Sequence, residues 1–277
     1  MNRLVIIGNG FDMAHGLRTS YMDFINWYWD QRVYGFIGNT TNVSQDCLCK
    51  LVIKETGDFS CWNVFAASNS YFFKDLYQKE RYSGSEVFQE IKQHPENFMV
   101  ECSPFFETIL QSIGSKGWVD IENDYYQLLK DSINNPRCEY TITGLNQQLA
   151  FIQSKLVEYL STIKEGEYKS EYQKAITDYF NPDDFSTEGR VRALDNMGLD
   201  FDRPYDKQYF QEEHEKLAPE RIMLLSFNYT KTAQLYGGSN VVHNYIHGGL
   251  TRPETIIFGY GDELDKNYQD ILDKNNN

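Results

Sequence analysis

The chain has no Cys-x-x-Cys pair, and its five cysteines (Cys47, Cys49, Cys61, Cys102, Cys138) are odd in number and scattered. That pattern supports neither a disulfide framework nor a four-cysteine zinc site; it fits free thiols in a reducing cytoplasm. Positive charge is scarce: 26 Lys and Arg stand against 40 Asp and Glu, a net charge of −14. Such a surface repels a phosphate backbone, which argues against nucleic acid as a partner and leaves room only for a local pocket that takes one dinucleotide. Long apolar runs are also missing. The first, Leu4 to Ile7, is far too short for a signal core or a membrane span. A cytoplasmic protein with no membrane partner is therefore expected.

Apolar and aromatic side chains are plentiful. Hydrophobic residues make up 41% of the chain and aromatics 15%, enough for a substantial core, and the aromatics read as core filling. A length of 277 residues suits one large α/β domain with a sizeable insertion.

Periodicity places the elements. Leu4-Val5-Ile6-Ile7 is a β-branched run ending in glycine, the pattern of a parallel strand buried on both faces. Ser20 with Asp23 offers a helix cap, and Tyr21 to Trp29 is apolar at helical spacing. Residues 33 to 117 are aromatic-rich and broken by Gly and Asn, without a clear period, and read as an insertion or cap. Helical spacing returns at Trp118, Ile121, Tyr125 and Leu128, and continues in a stripe from Leu145 to Ile163 that Gly166 would stop. Glu167 to Phe180 suggests another helix, and Pro182 to Asp206 a charged loop. Strands are predicted at Ile222 to Phe227, Val241 to Ile246 and Thr255 to Phe258, with a helical crossover from Thr230 to Tyr236. The expected fold is α/β: a Rossmann-like parallel sheet flanked by helices, from about residues 1–32 and 118–262, with a largely helical insertion at about 33–117, all within a single domain over 1–277.

In such sheets ligands sit at the carboxyl ends of the strands, and the polar motifs fall there. Gly8-Asn9-Gly10-Phe11-Asp12, with Gly16 four residues on, lets the backbone turn sharply and approach a phosphate, with the next helix start facing it. Alone, the pair of glycines fits a tight strand-to-helix turn equally well, and the full Gly-x-Gly-x-x-Gly fingerprint is not met because residue 13 is Met. Asn228, in Ser226-Phe227-Asn228-Tyr229-Thr230, can hold a ribose hydroxyl or a water, or simply cap a helix. His247, before Gly248, can act as a base near neutral pH, or be an ordinary core or surface histidine.

Taken together, the motifs resemble sirtuin nucleotide loops. Gly8, Gly10, Asp12, Gly16 and Leu17 follow the sirtuin loop spacing, and Asn228 precedes His247-Gly248 by 19 residues, as in that family. The wording is closer to the bacteriophage abortive-infection AbiH family. Ile7-Gly8-Asn9-Gly10-Phe11-Asp12-Met13-Ala14-His15-Gly16-Leu17, Trp118-Val119-Asp120-Ile121-Glu122, Phe227-Asn228-Tyr229-Thr230, Ile246-His247-Gly248 and Ile257-Phe258-Gly259-Tyr260-Gly261-Asp262 resemble its successive blocks. That resemblance implies a role in defence against phage. The sirtuin likeness implies NAD, or an ADP-ribose-like molecule, as substrate or ligand, with no tightly bound cofactor and no metal. His247, Asn228 and Asp12 would be catalytic. Gly8, Asn9, Gly10, Phe11, Gly16, Thr230 and Gly248 would line the nucleotide. The sirtuin zinc ribbon is absent, which argues against a deacylase, and Thr230 stands where sirtuins carry Asp. Relatives carry a further strand-end motif after the His-Gly block; this chain ends at Asn277 without it, so either that part is missing or the site is incomplete. Two rivals to NAD cleavage stand: a non-catalytic NAD or ADP-ribose sensor, and a scaffold that keeps the loop for folding alone. Oligomeric state is left open.

Overall fold

A computed structural model of the chain describes residues 2–37, 43–54, 83–116, 121–135, 137–138, 140–180, 186–197 and 218–258. Among these are six strands and eight helices, which divide into two compact units.

The first unit, Met1–Leu17 with Lys164–Ile257, holds a parallel sheet of three strands, β1 (Asn2–Ile7), β5 (Arg221–Ser226) and β6 (Val241–Tyr245), in the order β1-β5-β6. Ile7, Ile222 and Leu224 point to one side and pack with Ile176, Ala233 and Tyr236. Burying each of the isoleucine and leucine side chains contributes about 1.5–3 kcal/mol. The helices of this unit are α1 (Asn9–Ala14), α7 (Ser170–Thr177) and α8 (Thr187–Met197). Arg3 ties β1 to α7: its guanidinium donates to the Ile176 carbonyl at 2.7 Å, where a helix C-terminus leaves carbonyls without partners.

The structure departs from four expectations. Leu4 and Ile6 are 57% and 68% exposed, so β1 is packed on one face rather than two. The crossover between β5 and β6 is a single 3-10 turn, Thr232–Leu235, because Thr230 and Thr232 turn their hydroxyls inward and Gly237-Gly238 ends the turn early. No strand forms at Thr255 to Phe258. Pro253 opens a 3-10 turn through Thr255, and the Ile257 N–H donates to the His247 carbonyl instead of a ladder. The stretch read as a loop contains α8, while residues 181–185 and 198–217 lie outside the described residues.

The described helices and strands of the second unit lie within Arg18–Ile163. Its helices are α2 (Tyr21–Ile37), α3 (Gly84–Gln93), α4 (Pro104–Lys116), α5 (Ile121–Asn134) and α6 (Ile142–Thr162). Ser20 caps α2 as predicted: its Oγ accepts from the Asp23 N–H at 3.1 Å, and Asp23 accepts from the Ser20 N–H. The long stripe forms α6, which stops at Thr162, four residues short of Gly166. The segment at 33–117 is not helical throughout. It also carries an antiparallel sheet, β2 (Val43–Gln45), β3 (Cys49–Ile53) and β4 (Phe98–Cys102), in that order. Alternate residues of β3 are buried, and the strand is too short for its period to stand out from the sequence. Stacking of Trp29 on Phe88, 3.6 Å between ring centroids, locks α2 to α3.

Candidate functional site

Three loops leave the parallel sheet on one rung. Ile7, Ser226 and Tyr245 are paired across β1, β5 and β6, so Gly8, Phe227 and Ile246 are the first residues past the same sheet end. Neighbouring strands lie about 4.8 Å apart. The predicted motifs therefore converge at one edge, as ligand-binding loops of a parallel sheet do.

Alternation continues beyond β5 and sorts the next residues. Ser226, Asn228 and Thr230 are buried, whereas Phe227 is 41% exposed and Tyr229 half-buried. The Asn228 side chain reaches across to the first loop, and its Nδ2 donates to the Gly8 carbonyl at 2.9 Å. Its own N–H donates to Ser226 Oγ at 3.2 Å. Asn228 is thus buried at 8% exposure, where the sequence had suggested a pocket-facing residue; it fastens loop to loop.

Asp12 is likewise turned inward, at 1% exposure. Thr230 Oγ1 lies 2.8 and 2.7 Å from its two carboxylate oxygens and 3.1 Å from Thr232 Oγ1. A carboxylate only accepts, so Thr230 donates to Asp12 and Thr232 donates to Thr230. Thr230 is thus the partner of Asp12 in α1.

Glycine serves the two outer loops differently. Gly248 has a φ of +75°, and a Cβ there would lie 2.1 Å from the Thr255 carbonyl oxygen. Gly16 also has a left-handed φ, +78°. Gly8 has φ −122° and ψ −176°, extended backbone that any residue adopts. Gly10 sits in α1 without a positive φ, and no described atom would lie within 4 Å of a Cβ at either position. Both are exposed at the sheet end. Nothing among the described residues demands these two glycines.

His247 is half-buried between rings on either side of Asn228: its imidazole lies 5.6 Å from the Phe227 ring and 6.2 Å from that of Tyr229. Loss of hydration pushes its pKa below the usual histidine range, which favours the neutral, proton-accepting form at pH 7.

Phe11 turns away from the loop edge. Its ring packs against His15, Tyr172 and Tyr236 at 4.5, 5.4 and 5.5 Å. Beneath it lies a polar network with no counterpart among the sequence-predicted residues. His15 Nδ1 donates to the Phe11 carbonyl at 2.6 Å, which leaves Nε2 to accept from the Tyr236 hydroxyl at 2.5 Å. The same hydroxyl accepts from the Lys169 N–H at 3.2 Å. This network stiffens the far end of α1. Its signal, a histidine facing an aromatic about 220 residues on, is invisible to local pattern reading.

Among the described residues, no group of three or more His, Cys, Asp or Glu side chains is placed to hold a metal ion, and no helix is long and apolar enough to cross a membrane. What the geometry defines is an α/β protein whose three strand-end loops share one edge. The family description Bacteriophage abortive infection AbiH matches residues 4–277, and the chain belongs to that family. Abortive infection of phage-infected cells is the function the family implies. No curated protein and no solved structure matches the chain.

Proposed function

We propose that the sheet-end loops of this AbiH protein bind NAD and that the protein cleaves the nicotinamide–ribose bond, with His247 as base. The observation that carries the reading is the pair Gly8 and Gly10: exposed, conformationally ordinary, with no described atom within 4 Å of where a Cβ would stand, on the same sheet edge as His247. Glycine without a folding reason at a strand end suits a backbone that a phosphate must approach closely. The pyrophosphate would lie along Gly8-Asn9-Gly10. His247 would take a proton from water as its oxygen bonds to the ribose C1′, while the C1′–N bond breaks and nicotinamide leaves with the electron pair, through an oxocarbenium-like state. Asn228 and Asp12 act one step back. Asn228 sets the position of Gly8, and Asp12, through Thr230, joins α1 to the loop after β5. Draining NAD would halt the infected cell and the phage within it.

Incubating the pure protein with NAD and following nicotinamide release tests the reading; release by wild type and its loss in His247→Ala is the expected result. A second reading, binding without turnover, is favoured by one observation. Two of the three residues first assigned to chemistry, Asn228 and Asp12, are buried and held by protein groups. ADP-ribose binding with no nicotinamide release would select it.

A further inference from the structure

The second unit carries a pair of thiols that the proposed site does not use. Cys49 and Cys102 face each other across β3 and β4, with sulfurs hydrogen-bonded at 3.7 Å. Their place in the ladder is informative. The Ser103 N–H donates to the Leu48 carbonyl, and the Lys54 N–H to that of Asn97, so residues 48 and 103, and 54 and 97, are the hydrogen-bonded pairs. Alternation then makes Cys49 and Cys102 a non-hydrogen-bonded pair, whose Cα atoms stand about 4.5 Å apart. A disulfide accepts Cα separations of roughly 4.4–6.8 Å. The backbone is already within range, and side-chain rotation alone can bring the sulfurs together.

The surroundings hold that register. Lys50 and Glu101, one step along, form an ion pair at 3.5 Å. Arg32 donates to the Cys49 carbonyl at 2.9 Å and pairs with Asp46 at 3.2 Å. The two sulfurs also differ. Cys49 is buried at 2% exposure, while Cys102 reaches the surface in part. Their mutual hydrogen bond holds Cys102 below the usual thiol range and, with burial, drives Cys49 above it. A partly exposed thiol that ionises more readily, beside a buried one that ionises less readily, is the arrangement of an attacking and a resolving cysteine.

We propose that Cys49 and Cys102 are a reversible redox modification site that a peroxide converts to a cross-strand disulfide. The Cys102 thiolate attacks one peroxide oxygen, forming the S–O bond of a sulfenic acid as the O–O bond breaks. The departing oxygen takes up a proton and leaves as water. Cys49 sulfur then attacks Cys102 sulfur, the S–S bond forms as the S–O bond breaks, and the sulfenic oxygen takes up the Cys49 thiol proton and leaves as a second water. Two electrons pass from the sulfurs to the peroxide, and a thiol reductant reverses the change. The bond closes a loop over residues 50–101 and clamps the β3–β4 ladder.

The test treats the reduced chain with hydrogen peroxide near stoichiometry, alkylates the remaining thiols and maps the peptides. The expected result is a Cys49–Cys102 cross-linked peptide, two fewer alkylated cysteines, and a melting temperature raised by roughly 5 °C. Dithiothreitol should reverse all three, and none should occur in Cys102→Ser. Recovery of both cysteines alkylated would overturn the proposal. So would Cys102 bonded to another cysteine, or Cys102 oxidised to sulfinic acid with Cys49 still free. Mapping on the wild-type chain keeps the test decisive if Cys102→Ser fails to fold.

Discussion

The loop after β1 and the turn after β6 both place glycine at the same sheet edge, for opposite reasons. At Gly248 the chain itself demands it, through a left-handed φ and a carbonyl oxygen 2.1 Å from where a Cβ would stand. At Gly8 and Gly10 the chain demands nothing, since both backbones suit any residue and no described atom approaches. The same residue type is a requirement of folding in one loop and, on the proposed reading, a concession to a ligand in the other. A glycine motif gains functional meaning only when its conformational reason has been checked and found missing.

The largest expected effect tests the structural side of that contrast. Gly248→Ala must resolve a backbone clash and a strained φ together, so it should lose about 3 kcal/mol or more of stability, read by urea denaturation. A variant as stable as wild type would remove the distinction. His247→Ala should be the mirror image: nicotinamide release falls on the order of a hundredfold or more, with melting nearly unchanged. The rate with wild type should fall as the pH drops, with the midpoint of the acid limb below about 6.5, because burial makes His247 harder to protonate. The sign for stability agrees. An unfolded chain takes up this proton first, so the share owed to neutral His247 is complete above about pH 6.5 and is lost as pH falls through the lower folded value. A limb shifted above 6.5 would speak against His247 as the base.

Asn228→Ala should cost about 1–2 kcal/mol of stability, because the Gly8 carbonyl loses its donor and a cavity opens at a buried position. Unchanged melting would mean that the loop-to-loop bond carries no weight. The smallest effect has the opposite sign. Gly10→Ala should stabilise the chain by about 0.5 kcal/mol, since α1 accepts a Cβ there and the unfolded chain loses freedom. Destabilisation would show that the fold does need this glycine.

Much of the edge was legible from sequence because short apolar runs ended in distinctive polar motifs. The parallel pairing of β1, β5 and β6 and the rung on which their motifs begin followed from that punctuation. The direction of each side chain did not. Asn228 and Asp12 looked like pocket residues because their polarity suits chemistry equally well facing in or out. Their inward turn is set by partners about 220 residues away, Gly8 for one and Thr230 for the other. The same limit hid the His15–Tyr236 bond. The antiparallel sheet of the second unit escaped for a different reason: β2 to β4 are three to five residues long, too short for a period of two to be counted. Phe227 and Tyr229 were within reach of sequence reasoning, since strand alternation carried past Ser226 turns them to the side opposite Asn228.

The claim that Gly8 and Gly10 are kept for a ligand is tested most directly by one pair of titrations. ADP-ribose is added to the wild-type chain and to Gly10→Val in a calorimeter, with a melting curve of each. Wild type should bind, and the variant should remain folded with affinity lowered tenfold or more, because a branched side chain stands where the backbone must meet phosphate. Equal affinity in a folded Gly10→Val, or no binding by wild type, would contradict it.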